Sequence, residues 1–138
     1  MTGPVITDTG PLVALLNRRE QHHAWARELF SLIQPPALTC EAVISESCFL
    51  LRDVDHGAEA LTQLLLRGVV AISFSLADEL PSVGRLLNRY SSVPMSLADA
   101  CLVRMSEQFA TSTVVTLDHD FRVYRKNGRT VIPTRMPG

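Results

Sequence analysis

The sequence has few cysteines and no long apolar run, and these absences remove several classes of protein. Its three cysteines, Cys40, Cys48 and Cys101, are odd in number, lack CxxC spacing and lie in apolar stretches. This pattern indicates buried reduced thiols rather than a disulfide framework or a zinc site. No apolar run approaches the roughly 18 residues of a membrane span, and the start, MTGPVITDTGPLVALL, lacks the basic residues of a signal peptide. We therefore expect a cytoplasmic protein with no membrane partner.

A strong excess of charge of one sign is also absent. The net charge of −1 gives no global attraction to nucleic acid or to an anionic membrane. Basic residues do gather near the C-terminus, at Arg122, Arg125, Lys126, Arg129 and Arg135. This C-terminal basic cluster is a candidate for binding RNA phosphates, although a solvated surface explains it at least as well.

Short β-branched runs alternate with segments of helical spacing, and their order predicts the class of fold. The strand candidates are residues 4–7, 37–40, 69–74, 113–117 and 129–133. The helix candidates are PLVALL, with Thr9 as its N-cap, HHAWARELFSLI, EAVISESCFLLRD, GAEALTQLLLRG, LPSVGRLLNRY and SLADACLVRMSEQFA. An Asn-Gly pair at 127–128 predicts a tight turn before the last strand. Alternating strands and helices in 138 residues predict one α/β domain over 1–138 with a mostly parallel sheet.

Two acids follow predicted strands directly. Asp8 comes after PVIT and Asp118 after TVVTL, so both belong at the carboxyl edge of a parallel sheet, where α/β proteins bind ligands. Thr116 adds a hydroxyl beside Asp118, and Asp120 follows two residues later. We expect the strand to direct Asp118 into the site and Asp120 to face its rim, where either Arg122 or Arg125 neutralises it or it touches the metal only through water. Either acid alone is also explained as a polar turn residue or helix cap.

Two further acids lie in early turns of predicted helices. Glu46 has Ala42, Val43, Phe49 and Leu50 at helical spacing, which predicts a carboxylate on an apolar, buried face that needs a cation or donor. A structural ion pair with a distant arginine is the alternative to a metal site. Asp99 in SLAD fits a capping box with Ser96, and it can cap the helix and still point inward. Carboxylates that share a cavity require compensation, and the usual one is a hard cation such as Mg²⁺ or Mn²⁺. No histidine or cysteine converges with them, which argues against zinc.

The order and spacing of these motifs resemble the PIN-domain family, especially the VapC-like toxins of bacterial toxin–antitoxin pairs. The matching segments are VITDTGPLVALL with Asp8, VISESCFLL with Glu46, MSLADACLVRMSE with Asp99 and VVTLDHDF with Asp118. Gly10 departs from the family, which often has a small polar residue there. The Thr-x-Asp spacing favours Asp118 as the fourth acid, with Asp120 as the alternative or an additional metal contact.

The resemblance implies a three-layer α/β/α sandwich around a central, mostly parallel sheet. It also implies a Mg²⁺ or Mn²⁺ site, cleavage of RNA phosphodiesters, a homodimer, and a small antitoxin that occupies the active-site groove. In the implied reaction Asp8, Asp99 and Asp118 hold one or two metal ions, directly or through water, and Glu46 helps to hold metal and orients the attacking water. Two alternatives stay open: a catalytically silent PIN-like module that binds RNA or protein, and, with weaker motif fit, a receiver-like signalling domain.

Overall fold

Five short parallel strands form the centre of the protein in this computed structural model, which describes residues 2–138. They are β1 (Val5–Thr7), β2 (Ala37–Thr39), β3 (Val70–Ile72), β4 (Thr113–Val115) and β7 (Thr134–Arg135), in the order β3-β2-β1-β4-β7. Two more strands, β5 (Arg125–Lys126) and β6 (Thr130–Val131), form a separate antiparallel hairpin. All pairings in the central sheet are parallel, so the carboxyl ends of its strands meet at one edge.

Helices cover both faces of the sheet over residues 2–138. They are α1 (Thr9–Leu16), α2 (His23–Leu32), α3 (Glu41–Leu50), α4 (Gly57–Leu66), α5 (Leu76–Arg89) and α6 (Leu97–Gln108). Val5 and Val115 of the strands pack against Leu29 of α2 in a small hydrophobic cluster. Ile6 and Val114, the alternate strand residues, join the larger cluster on the opposite face. The predicted three-layer α/β/α sandwich is therefore confirmed.

The larger cluster fixes the position of α6. Most of this helix is buried, including Ala98, Ala100, Leu102, Val103 and Met105, so its first turn has little freedom to move. None of the helices within residues 2–138 has the length and apolar character needed to cross a bilayer.

The C-terminal strand prediction was wrong in its boundaries. Within the predicted strand 129–133 only residues 130–131 form a strand, and they belong to the β5–β6 hairpin. The fifth strand of the central sheet is β7, which begins after the predicted segment. The Asn-Gly turn lies inside the hairpin, where Asn127 and Gly128 have φ values of 51° and 82°. These positive values suit an Asn-Gly turn. Strands β5, β6 and β7 have two residues each, too few to show an alternation of apolar and polar residues. Their positions and register were therefore not predictable from the sequence.

Three smaller expectations also need correction. Asp8, not Thr9, is the N-cap of α1, since its carboxylate accepts from the Thr9 amide. Helix α5 begins at Leu76, before the predicted LPSVGRLLNRY segment. Cys40 and Cys101 are buried free thiols as expected, whereas Cys48 is only half-buried.

Candidate active site

A pocket of about 400 Å³ opens at the carboxyl edge of the central sheet. Four of the predicted acids line it, namely Asp8, Glu46, Asp99 and Asp118, together with Thr9, Gly10, Leu50, Pro94, Ser96 and Leu117. Asp120 is not among the lining residues. The fold therefore brings together acids that follow β1 and β4 and acids of α3 and α6, although their positions in the chain are far apart.

Asp8 is the most deeply held of these acids. Its side chain follows β1 directly, and the residue is 7% exposed. One carboxylate oxygen accepts from the Thr9 amide at 2.7 Å, and the other accepts from the Thr116 hydroxyl at 2.6 Å. Burial raises the pKa of Asp8 from 3.8 to about 6, and the nearby charges of Asp99 and Asp118 act in the same direction.

This raised pKa predicts how the stability of the metal-free protein depends on pH. Below about pH 4, Asp8 is protonated in both the folded and unfolded states and has no effect. Between about pH 4 and pH 6 the unfolded chain ionises while the folded chain keeps its proton, so stability falls as pH rises. Above the folded pKa the loss is complete, at about 1–3 kcal/mol. Urea unfolding in EDTA is expected to show this loss, and Asp8→Asn is expected to reduce it.

The control for this measurement is Asp53→Asn, because Asp53 is fully open to solvent, with a side chain 91% exposed. The unfolding free energy of the Asp53→Asn protein is expected to follow the wild-type pH dependence. An unchanged pH dependence in the Asp8→Asn protein would show that burial does not raise the pKa of this carboxyl group.

Thr116 connects Asp8 to Asp118. Its hydroxyl oxygen donates to Asp8 and accepts from the backbone amide of Asp118 at 2.9 Å. The Asp118 carboxylate in turn accepts from the amide of Asp120 at 2.9 Å and caps a short 3-10 helix at His119–Arg122. A single buried hydroxyl therefore sets the relative position of the acids that follow β1 and β4.

Asp99 serves as a helix cap and also lines the pocket, so both interpretations of SLAD hold. Ser96 and Asp99 form a reciprocal capping box, with amide-to-side-chain distances of 3.1 and 3.0 Å. The same Asp99 oxygen that accepts from the Ser96 amide also accepts from the Tyr124 hydroxyl at 3.0 Å. Burial raises the pKa of Asp99 above its ordinary value.

Glu46 lines the pocket, but the predicted burial of its carboxylate was wrong. Glu46 is exposed, and its neighbours Phe49 and Leu50 are themselves 61% and 46% exposed. The apolar spacing therefore describes an open face of α3 beside the pocket. The Thr9 hydroxyl donates to the Glu46 carboxylate at 3.3 Å, which links α3 to the start of α1.

Of the two alternatives expected for Asp120, neutralisation by an arginine is wrong. None of the ion pairs within residues 2–138 involves Asp120, and the Arg125 guanidinium donates instead to the carbonyls of residues 122–124. The C-terminal basic cluster is not a continuous surface either. Lys126 is 6% exposed and donates to the Ala110 carbonyl at 3.0 Å.

Gly10 has a steric role at the edge of the pocket. A Cβ atom at this position would lie 3.0 Å from side-chain atoms of Leu117, the residue before Asp118. The absence of a side chain lets the first turn of α1 approach the segment after β4. Gly10, where the sequence departs from the family pattern, is thus the point at which α1 lies close to Leu117.

The donor chemistry of the pocket fits a hard divalent cation. The four acidic side chains offer only oxygen ligands, and burial of Asp8 and Asp99 makes their negative charges costly without a cation. Within residues 2–138, no three carboxylate, imidazole or thiol groups converge closely enough to hold an ion by themselves. Mg²⁺ commonly keeps several waters and takes one or two carboxylates, so acids spread around a pocket are compatible with it.

Tyr124 is the site residue that the sequence did not indicate. It is fully buried, and its ring packs edge-on against Phe121 and Tyr90 at centroid distances of 5.2 and 5.1 Å. Burial, reinforced by the charge of Asp99, raises the pKa of its hydroxyl, which stays protonated and donates to Asp99. No local pattern marks this contact, because its partner lies 25 residues away.

The fold and the pocket define a known class of protein. The sequence pattern of the PIN domain matches residues 5–127, and the chain belongs to the PIN-domain family. The resemblance inferred from the four acidic motifs is thereby confirmed. This membership leaves the receiver-like alternative without support.

Two relatives are similar over most of their length. Ribonuclease VapC26 of Mycobacterium tuberculosis is 28% identical over 135 residues, which cover 94% of this chain and 100% of the relative. The crystal structure of Mycobacterium tuberculosis VapC20, a toxin that cleaves the sarcin-ricin loop, superposes with a TM-score of 0.77 at 25% identity. That match covers 86% of this chain and 93% of the relative.

Proposed function

We propose that this protein is a metal-dependent endoribonuclease and the toxin of a toxin–antitoxin pair. The observation that carries the proposal is the single pocket lined by Asp8, Glu46, Asp99 and Asp118. The family and the two VapC relatives support the ribonuclease class. Mg²⁺ or Mn²⁺ is the proposed ion, RNA the proposed substrate, and 1–138 is treated as one PIN-like domain of a cytoplasmic protein.

In this proposal the chain supplies an oriented set of oxygen atoms. Asp8, Asp99 and Asp118 would hold the ion, directly or through water, and each is itself held by a donor of the protein. A divalent ion bound there would lower the pKa of a water and stabilise the leaving oxygen of a phosphodiester. Thr9 holds Glu46 at the exposed side of the pocket, where the carboxylate can accept a hydrogen bond from the attacking water and orient it.

An antitoxin is the proposed regulatory partner. Phe49 and Leu50 of α3 are exposed apolar side chains, and Leu50 also lines the pocket. A partner segment that covers Phe49 and Leu50 would extend directly into the acidic pocket and block access to RNA. The homodimer and a metal contact by Asp120 remain predictions from the family resemblance.

The proposal is tested by cleavage of RNA with and without the ion. RNA that contains the sarcin-ricin loop, the target of the VapC20 relative, is the first substrate to assay. Cleavage is expected with Mg²⁺ or Mn²⁺, loss of cleavage in EDTA, and recovery when excess Mg²⁺ is added. Equal cleavage in EDTA would remove the metal mechanism. Binding of RNA without cleavage under any of these ions would favour the catalytically silent module.

A further inference from the structure

A second groove lies at the same edge of the sheet as the acidic pocket. It has a volume of about 540 Å³ and is lined by Trp25 and Arg122 and by the C-terminal residues Thr134, Arg135, Met136, Pro137 and Gly138. A smaller hollow of about 90 Å³ adjoins it and also touches Trp25 and Arg135. We call these two hollows the Trp25 groove. One tryptophan and two arginines therefore line the same groove.

The Trp25 groove lies beside the proposed catalytic acids along the carboxyl edge of the sheet. Asp8 follows β1, Asp118 follows β4, and Arg135 ends β7, which is the next strand in the sheet. Arg135 is in register with Val115, and its carbonyl accepts from the Thr116 amide at 3.2 Å. Adjacent strands lie about 4.8 Å apart, so the Arg135 backbone is one strand away from the segment that holds Asp118.

The two guanidinium groups are available to bind an anion. Arg122 and Arg135 are exposed, and neither forms an ion pair with any of residues 2–138. By contrast, the Arg104 guanidinium is occupied by Glu79 at 2.6 Å. Arg side chains recognise phosphates through paired donors, and they also stack on aromatic rings.

Trp25 is held in place on one side and open on the other. It is half-buried and packs on the cluster that contains Leu29 and Ile33, while its remaining surface lines the groove. Aromatic side chains beside cations are the arrangement by which proteins bind single-stranded nucleic acid with little sequence preference. One acid, Glu28, lines the smaller hollow and would repel phosphates there. Phosphates are therefore favoured in the larger hollow, which Arg122 lines.

We propose that the Trp25 groove binds single-stranded RNA next to the nucleotide that is cleaved. A base stacks on Trp25, and Arg122 and Arg135 neutralise the adjoining phosphates. This inference rests on the proposed ribonuclease function and adds the path of the substrate strand to it. An acidic peptide would satisfy the two arginines but would leave the indole without a planar stacking partner.

The composition of the chain permits a direct test, because Trp25 is its only tryptophan. A fluorescein-labelled, unstructured oligoribonucleotide of about 12 nucleotides is titrated in buffer with Ca²⁺ in place of Mg²⁺, and its integrity is checked on a gel. We expect the tryptophan fluorescence to be quenched along the same saturation curve as the rise in fluorescein anisotropy. Trp25→Ala should weaken binding about tenfold, and Trp25→Phe should restore most of the affinity.

The salt dependence of binding tests the two arginines. For single strands the slope of log K against log salt changes by about 0.7 for each phosphate contact, so Arg122→Ala with Arg135→Ala should reduce it by about 1.4. Arg67→Ala is the matched control. Arg67 is exposed and lies just before β3, at the amino edge of the sheet, and its substitution should leave the slope unchanged.

Several results would overturn the inference. Binding of RNA without quenching of tryptophan fluorescence would place the strand outside the Trp25 groove. So would a change in the salt slope for Arg67→Ala equal to that for the arginine pair. In either case metal-dependent cleavage would persist, and the proposed function would stand. Equal binding and quenching by oligoglutamate would assign the groove to an acidic peptide. Absence of both RNA binding and cleavage in the wild-type protein would overturn this inference and the proposed function together.

Discussion

Replacing Asp118 with asparagine is expected to slow RNA cleavage by at least about a hundredfold, and replacing Asp120 by less than about fivefold. Asp118 lines the acidic pocket with Asp8, whereas Asp120 does not. The contact of Asp120 with the site is made by its backbone amide, which donates to the Asp118 carboxylate and is retained in asparagine. Loss of a metal ligand removes several kcal/mol of transition-state stabilisation, while loss of a charge outside the pocket removes about 1 kcal/mol or less.

Single-turnover cleavage rates of the two variants across a Mg²⁺ titration decide this assignment. For Asp118→Asn, the concentration of Mg²⁺ that gives half-maximal activity is expected to rise as the rate falls. For Asp120→Asn it should remain close to the wild-type value. A more damaged Asp120→Asn protein would reverse the assignment and make Asp120 the fourth acid of the site.

Asp99→Asn is expected to abolish most cleavage, again by about a hundredfold or more, while the protein stays folded. The oxygen of Asp99 that accepts from the Ser96 amide also accepts from the Tyr124 hydroxyl, so the single amide oxygen of asparagine can keep both bonds. The substitution therefore removes the charge and leaves the cap. Because burial disfavours the charged form of Asp99, the metal-free variant should be at least as stable as the wild type.

Ser96→Ala provides the opposite change at the same helix end. It removes the hydroxyl that accepts from the Asp99 amide and should cost about 1 kcal/mol of unfolding free energy. Cleavage should stay within a few-fold of wild type, because the Asp99 charge remains. Urea unfolding and cleavage measured on both proteins separate the two roles. An unfolded Asp99→Asn protein would make capping the main role of Asp99.

The sequence contained enough information to place the four acids at one edge. Asp8 and Asp118 each follow a β-branched run, and parallel strands bring such positions together whatever their distance along the chain. The capping-box spacing located the start of α6, and with it the position of Asp99. These features are local, so the pattern of residues expresses them directly.

The features that were missed depend on contacts between distant segments. The spacing around Glu46 showed an apolar face but not that this face is open, because burial depends on what packs against α3. The Tyr124 contact with Asp99 and the join between β4 and β7 likewise arise only in the folded chain. Lys126 was assigned to a basic surface because nothing in its neighbourhood indicates that it reaches the Ala110 carbonyl.

The hydrogen bond from Thr116 to Asp8 joins residues that are 108 positions apart, and this separation bears on biosynthesis. A growing chain carries Asp8 and Glu46 early, but β4 cannot pair with β1 until residues 113–115 have left the ribosome. Until then Asp8 lacks its hydroxyl donor and Asp118 has no strand to place it. A nascent chain whose residues 113–118 are still inside the ribosome therefore has no complete site. For an enzyme proposed to cut RNA, activity cannot begin until this segment has emerged and β4 has paired with β1.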